Sequence, residues 1–218
     1  DNLIFSSSAT VYGEPQYLPI DENHRLDIQN PYGLTKKIIE EIFNNFCELK
    51  PSKKVISLRY FNPVGAHPSG LIGERPNGIP NNLMPYIAMV ANGELPFLGV
   101  FGDKYPTKDG TGVRDYIHIE DLAEGHIAAL DYIGIMKENA DVFNLGTGEG
   151  FSVLDMVKEY SEACGKKIPI KIKNPRKGDV AECYACTIKA SKILGWTAKL
   201  GISEMCESSW NFQTKIAD

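Results

Sequence analysis

The chain has 218 residues, 43% hydrophobic and 23% charged, with a formal net charge of −5 and a pI near 5.5. This is ordinary globular composition: the acidic balance argues against a nucleic-acid partner, which wants a basic face, and no run reaches the roughly 18 apolar residues of a membrane span. Five cysteines at scattered spacings argue against a disulfide framework and for a reducing, cytoplasmic setting.

Leu3-Ile4-Phe5 reads as a buried strand that runs into Ser6, Ser7 and Ser8. The first residue is Asp1, so a strand stands at the very start, and the expectation is a truncated or processed chain. A loop bearing Pro and Asp follows from Glu14 to Asn30. Leu34, Ile38, Ile39, Ile42, Phe43 and Phe46 then recur every three or four residues, which predicts a long amphipathic helix ended by Pro51. Val55 to Phe61 is a second strand, and strand–helix–strand order fits a parallel α/β unit. From Asn62 to Gly112 Pro and Gly are dense, with one helix over Asn81–Asn92, so this stretch reads as an insertion away from the main sheet. Next come a helix over Ile119–Ile133, a strand over Val142–Leu145, a helix over Ser152–Cys164 and a strand over Ile168–Ile172. A loop rich in Lys and Arg and two closing helices complete the chain.

Tyr32 and Lys36 stand four apart at the start of the first helix and so share a face. A lone tyrosine, with its pKa near 10, is a poor base at neutral pH. An ammonium group beside it favours the phenolate. A Tyr-x-x-x-Lys match alone is weak, but SSSATVYG, Ser6 to Gly13, lies upstream at the carboxyl end of a strand, where open α/β sheets bind ligands. A serine hydroxyl there can bridge substrate and phenolate.

Ser, Tyr and Lys in this order resemble the extended short-chain dehydrogenase/reductases. The wording is narrower. SSSATVYG, NPYGLTK (Asn30 to Lys36), LRYFNPVGAHPSG (Leu58 to Gly70), IPNNLMPYI (Ile79 to Ile87), DGTGVRDYIHIEDLAEGHIAAL (Asp109 to Leu130), NLGTGEGFSV (Asn144 to Val153), GDVAECYA and LGWTA all resemble the UDP-galactose 4-epimerases. The resemblance covers essentially the whole chain. It implies a truncated Rossmann-type parallel sheet with a smaller α+β substrate-binding domain. Residues 1–62, with 119–147 returning, would form the C-terminal part of the NAD-binding domain, and 63–118 with 148–218 the UDP-sugar domain. It implies tightly bound NAD, a UDP-hexose substrate inverted at C4 through a 4-keto sugar, and a homodimer formed partly through the helix of Tyr32 and Lys36.

The same resemblance implies the site residues. Ser8, Tyr32 and Lys36 would be catalytic, with Tyr32 the base toward the 4-hydroxyl and Ser8 the proton relay. Ser6, Ser7, Tyr32, Lys36, Tyr60 and Phe61 would face NAD. Ser8, Ala9, Thr10, Asn62, Asn82, Leu83, Phe101, Arg114, Tyr116, Arg176, Asp179 and Cys183 would face the substrate. The chemistry suits several of them: Arg114 and Arg176 offer forked, charge-assisted contacts to phosphate, and Asp179, acceptor only, suits ribose hydroxyls. A cysteine at position 183, where a bulky tyrosine would crowd an N-acetyl group, implies acceptance of the N-acetylated UDP-hexosamines.

Other signals carry less. Gly146, Gly148 and Gly150 follow a strand, but the third comes one residue early for G-x-G-x-x-G. Cys183 and Cys186 form C-x-x-C without a second pair, so no metal site is expected. The four histidines do not cluster and read as caps or core hydrogen-bonders. No cofactor glycine loop occurs at the start of the chain, where the family places it. The expectation is therefore that on the order of 100 residues or more are missing, at roughly 30 residues per βαβ unit, and that the chain alone binds NAD poorly and turns over little. A nucleotide-sugar dehydratase would need an Asp-Glu pair after Thr10, where Val11 and Tyr12 stand. A UDP-sugar-binding module without chemistry is the other alternative.

Overall fold

The structure, a computed structural model, describes Asn2 to Ala217. In chain order its elements are β1 (Asn2–Ser8), α1 (Pro31–Leu49), β2 (Lys54–Tyr60), β3 (Asn62–Val64), α2 (Leu83–Ala91), β4 (Leu98–Phe101), β5 (Val113–Arg114), β6 (Tyr116–His118) and α3 (Ile119–Ile133). There follow β7 (Ala140–Leu145), β8 (Phe151–Ser152), α4 (Val153–Cys164), β9 (Ile170–Lys173), β10 (Glu182–Cys183) and α5 (Ile202–Ala217). A short 3-10 turn covers Ala9–Val11 and a π-helical turn covers Ala190–Leu194. The first of the two closing helices expected from sequence is therefore only that wide turn.

The sheet β1-β2-β7 is parallel throughout. Its two crossovers carry α1 and α3, and strand alternation puts them on opposite faces. Phe5 meets Phe43 of α1 edge-on at 5.4 Å. Its neighbour Ile4 packs the other way, into the cluster of Ile56, Leu58, Leu122, Ala129 and Ile133 built on α3. Ala190, Leu194 and Trp196 join this cluster, and the Trp196 indole donates to the Asp121 carbonyl at 3.0 Å. The register pairs Ser8 with Tyr60 and Tyr60 with Leu145, so the three strands end at one level.

Leu3 was expected to be buried and is not: it is 42% exposed. β1 is an edge strand of the described sheet, with β2 on one side only. α1 buries Gly33, Glu40 and Cys47 on its sheet-facing side, while Leu34, Ile38, Ile42 and Phe46 lie on the opposite side and remain exposed.

Beyond β2 the chain leaves the sheet, as the Pro- and Gly-rich texture predicts. Met84, Ile87, Leu98, Met156, Tyr160 and Met205 form a separate cluster between α2, α4, α5 and the parallel pair β4-β9. The pair β3-β6 and the three-stranded β10-β5-β8 are separate from the sheet β1-β2-β7, and the latter of the two brings Arg114 and Cys183 side by side in register. α4 starts at a capping box: the Ser152 hydroxyl accepts from the Asp155 amide at 2.9 Å and the Asp155 carboxylate accepts from the Ser152 amide at 3.1 Å.

Candidate active site

Two devices place the head of α1 against the end of β1. Asn30 caps the helix, its side chain accepting from the Gly33 amide at 2.8 Å, and Pro31 opens the first turn. Gly33 is needed for close approach, because a Cβ there would stand 2.8 Å from the Thr10 carbonyl oxygen. The side chains of Tyr32 and Lys36 project from this closely seated turn. Lys36 Nζ lies 5.3 Å from the Tyr32 ring centroid and donates to the Ser6 carbonyl at 2.8 Å. Tyr32 itself is 55% exposed.

Ser8 caps the 3-10 turn. Its oxygen accepts from the Thr10 amide at 3.2 Å and from the Thr10 hydroxyl at 3.0 Å. Both lone pairs are thereby occupied, and the Ser8 proton is the group left to give.

A cleft of about 460 Å³ opens beyond the strand ends. Ser8, Ala9, Thr10, Asn62, Asn82, Leu83, Phe101, Arg114, Tyr116, Arg176, Asp179 and Cys183, all expected around the substrate, line it, together with Tyr60 and Phe61. Ser6, Ser7, Tyr32 and Lys36 do not line it. Tyr32 and Lys36 follow Asn30, which does. Ser6 hydrogen-bonds Tyr60 at 2.7 Å. The Ser7 hydroxyl is turned the other way, donating to Glu40 under α1, so only its backbone is left to face a cofactor. Asn30, Gln29, Tyr86 and Tyr105 also line the cleft. Sequence reading did not single them out: Asn30 and Tyr86 stand inside NPYGLTK and IPNNLMPYI without a role assigned to them, and Gln29 and Tyr105 lie in loops outside any motif.

Electrostatics differ along the cleft. The Arg176 guanidinium stacks on Phe101, 3.9 Å from its centroid. Arg114 donates to the Val113 carbonyl at 2.8 Å, which leaves most of its fork free. Burial pushes the Cys183 thiol up to about 11, against the pull of Arg114. Burial also raises the Tyr116 phenol, again opposed by Arg114. The Tyr60 phenol is raised chiefly by burial, with the Ser6 hydrogen bond opposing.

Two buried networks support these groups, and sequence reading missed both. Arg59 on β2 forks onto Glu40 of α1, Nε to Oε1 at 3.1 Å and Nη2 to Oε2 at 2.6 Å, and Nη1 donates to the Tyr12 hydroxyl at 3.0 Å. The Tyr12 hydroxyl donates in turn to Asn144 Oδ1 at 2.6 Å. A charged residue inside the apolar run KVISLRYF was the available signal, since a buried charge demands a partner. Asp115 accepts from the Thr147 amide at 2.8 Å and hydroxyl at 2.7 Å, and from the Gly148 and Ala185 amides at 3.0 and 3.1 Å. Burial pushes its carboxyl up while these donors pull it down, with a net rise. The glycine-rich stretch 146–150 is thus a turn folded onto Asp115. A Cβ at Gly146 would lie 2.5 Å from the Asp115 carboxylate. Among the described residues no group of three or more His, Cys, Asp or Glu could hold a metal ion.

Residues 2–209 match the model of a family described as GDP-mannose 4,6 dehydratase. The chain belongs to that family. Within it the chain is homologous to UDP-glucose 4-epimerases, at 55% identity over 212 residues to that of Bacillus subtilis, covering 97% of this chain and 62% of the relative. In structure it is similar to the UDP-glucose 4-epimerase of Bifidobacterium longum solved with NAD+ and UDP, with a TM-score of 0.94 and 55% identity, covering 98% of this chain and 64% of that one. It is similar also to that of Stenotrophomonas maltophila solved with NAD and formylated UDP-arabinopyranose, with a TM-score of 0.96 and 44% identity, covering 100% and 64%. The fold is thus the Rossmann-like α/β fold of these family members. The chain spans about three-fifths of the length of the curated relatives it matches.

Proposed function

We propose that this chain carries the substrate cleft and the catalytic Ser8, Tyr32 and Lys36 of a UDP-glucose 4-epimerase. The observation that carries this reading is the single cleft that puts Ser8 at the strand ends and Arg114, Arg176 and Phe101 along its length. The arginines suit a diphosphate, Asp179 a ribose, and Phe101 a flat base. The hexose then reaches toward Ser8.

Tyr32 acts as the base toward the C4 hydroxyl. Ser8 can donate to the substrate oxygen or to the phenolate, because Thr10 occupies its lone pairs. Lys36 places its positive charge beside the Tyr32 ring and is held there by the Ser6 carbonyl. The nicotinamide end of NAD fits the groups present: Ser6 and Tyr60 offer hydroxyl oxygens and Lys36 an ammonium, polar groups suited to ribose and carboxamide. Ser7, by its backbone, and Phe61 complete that wall. NAD, when bound, supplies the hydride acceptor and donor at C4. The domain split is proposed as 1–62 with 119–147 for the cofactor side, and 63–118 with 148–218 for the UDP-sugar side, with Ala190–Ala198 seated on α3.

A dehydratase is disfavoured, because elimination needs a general acid near Thr10. Val11 and Tyr12 follow it, and both are wholly buried in an apolar cluster with Ile20 and Phe61. Cys183, small and in the cleft wall, supports acceptance of N-acetylated UDP-hexosamines. Cys183→Tyr would remove that turnover and keep UDP-glucose turnover. The exposed stripe Leu34, Ile38, Ile42 and Phe46 on α1 supports a homodimer packed through this helix. Five free cysteines support a cytoplasmic setting, and no helix of the described residues is long and apolar enough to cross a membrane. The testing experiment is conversion of UDP-galactose to UDP-glucose by the intact protein and its loss in Tyr32→Phe. Full activity in that variant would sink the assignment of the base.

A further inference from the structure

The Tyr60 hydroxyl serves two groups at once. Ser6 Oγ lies 2.7 Å away, and His126 Nε2 meets the same oxygen from α3. The two rings are inclined at 58° with centroids 5.3 Å apart, so the hydroxyl meets the ring nitrogen rather than a stacked face. The other ring nitrogen, Nδ1, stands 2.8 Å from the Leu122 carbonyl oxygen. A carbonyl only accepts, so Nδ1 carries the proton and Nε2 of the neutral ring is left with a lone pair. Nε2 therefore takes the phenolic proton. One proton cannot serve two acceptors, so Ser6 supplies the hydrogen of the other bond. The Tyr60 oxygen then has only lone-pair capacity to offer the cleft it lines.

We propose that His126 is a positioning residue: acting through Tyr60, it presents an oxygen that can only accept to the nicotinamide end of the cofactor. This rests on the cofactor placement proposed for this cleft. The donors at that end of NAD are the carboxamide amino group and the ribose hydroxyls; the amino group, which can only donate, is the partner that an accept-only oxygen suits best. Burial of the Tyr60 phenol, which raises it, keeps the proton available for His126 at neutral pH. A histidine that merely caps Leu122 in its own helix would have no stake in the Tyr60 hydroxyl.

The test uses the intact protein and reads NAD binding itself: NAD retained per chain after purification, and the dissociation constant after stripping. His126→Leu is expected to weaken NAD binding about 10-fold, the scale of one lost hydrogen bond. His126→Gln, whose side-chain oxygen reaches the place of Nε2, should recover most of it. In a Tyr60→Phe background His126→Leu should cost nothing further. Unchanged binding in His126→Leu, or an undiminished penalty in the Tyr60→Phe background, would overturn the proposal. If His126→Leu does not fold, His126→Gln against His126→Asn decides, because the shorter Asn reaches only the Nδ1 position. Equal binding by these two overturns it. Wild-type protein that holds no NAD overturns the cofactor placement and this inference together, whereas normal NAD binding with insensitive His126 variants overturns the inference alone.

Discussion

Replacing Arg59 by Met should be among the most damaging single changes outside the cleft. The Arg59–Glu40 pair joins β2 to α1, Glu40 also takes the Ser7 hydroxyl of β1, and Arg59 reaches Tyr12 just past the 3-10 turn. Both side chains are under 8% exposed, so solvent does little to screen them. Burial works against the Arg59 charge, but the bonds to Glu40 and the pull of Tyr12 more than offset it, and the guanidinium is held even more firmly protonated than usual. Methionine fills similar space and leaves the Glu40 carboxyl buried with Ser7 alone. Breaking one side of such a pair costs about 3–5 kcal/mol. At about 2–4 °C per kcal/mol for a chain of this size, the midpoint should fall by roughly 6–20 °C. The double variant Glu40→Leu/Arg59→Met removes both charges and should be more stable than Arg59→Met alone. Urea unfolding of the intact protein, followed by Trp fluorescence, measures both. A loss under about 1 kcal/mol in Arg59→Met, or a double variant weaker than the single by the full sum, would refute the claim that this pair locks the helix of Tyr32 and Lys36 to the sheet. Because a misplacement of about 1 Å can cost 100-fold in rate, kcat should fall in the folded fraction as well.

Three further outcomes follow from the geometry. Gly33→Ala should lower stability by about 1–3 kcal/mol and cut kcat at least 10-fold, since its methyl meets the Thr10 backbone and must push α1 off the end of β1; unchanged kinetics would remove the close-approach argument. Asp115→Asn keeps the shape but turns an NH2 toward backbone amides, so about 2–3 kcal/mol should be lost in denaturant titration, with the 146–150 turn the first to exchange its amide hydrogens. Cys183, with its thiol raised to about 11 by burial, should resist iodoacetamide at pH 7 and gain reactivity only as pH climbs through that value. Its thiolate fraction grows with pH, so rapid labelling at neutral pH, read by peptide mass, would contradict the burial.

Much of the cleft was legible because its residues sit in wording with local meaning. NPYGLTK sets Tyr32 and Lys36 on one face at a helix start, and SSSATVYG ends a strand where parallel sheets bind ligands. The twelve positions expected around the substrate line one cleft because strand ends, the head of α1 and the loops of the second cluster all converge beyond β1 and β2. What sequence did not disclose was pairing at a distance. Glu40, beside Glu41 in a helix, reads as solvated, and nothing local says that it faces Arg59 on the strand below. Asp115 reads as part of a motif, not as the anchor of a turn 32 residues on. Leu3 and the Leu34–Phe46 stripe show the opposite failure: apolar patterning marks what wants cover, not what the described chain supplies. His126 lay between the two, since a lone histidine on a helix gives no sign of the hydroxyl it meets.

The most direct test of the central claim is the product formed when the intact protein is given UDP-glucose with NAD. Proton NMR of the nucleotide sugars should show UDP-galactose appearing until the two hexoses reach a fixed ratio, with no net NADH and with the activity lost in Tyr32→Phe. Appearance of a 4-keto-6-deoxy sugar nucleotide, or UDP-glucose left unchanged by protein that binds both UDP and NAD, would contradict it.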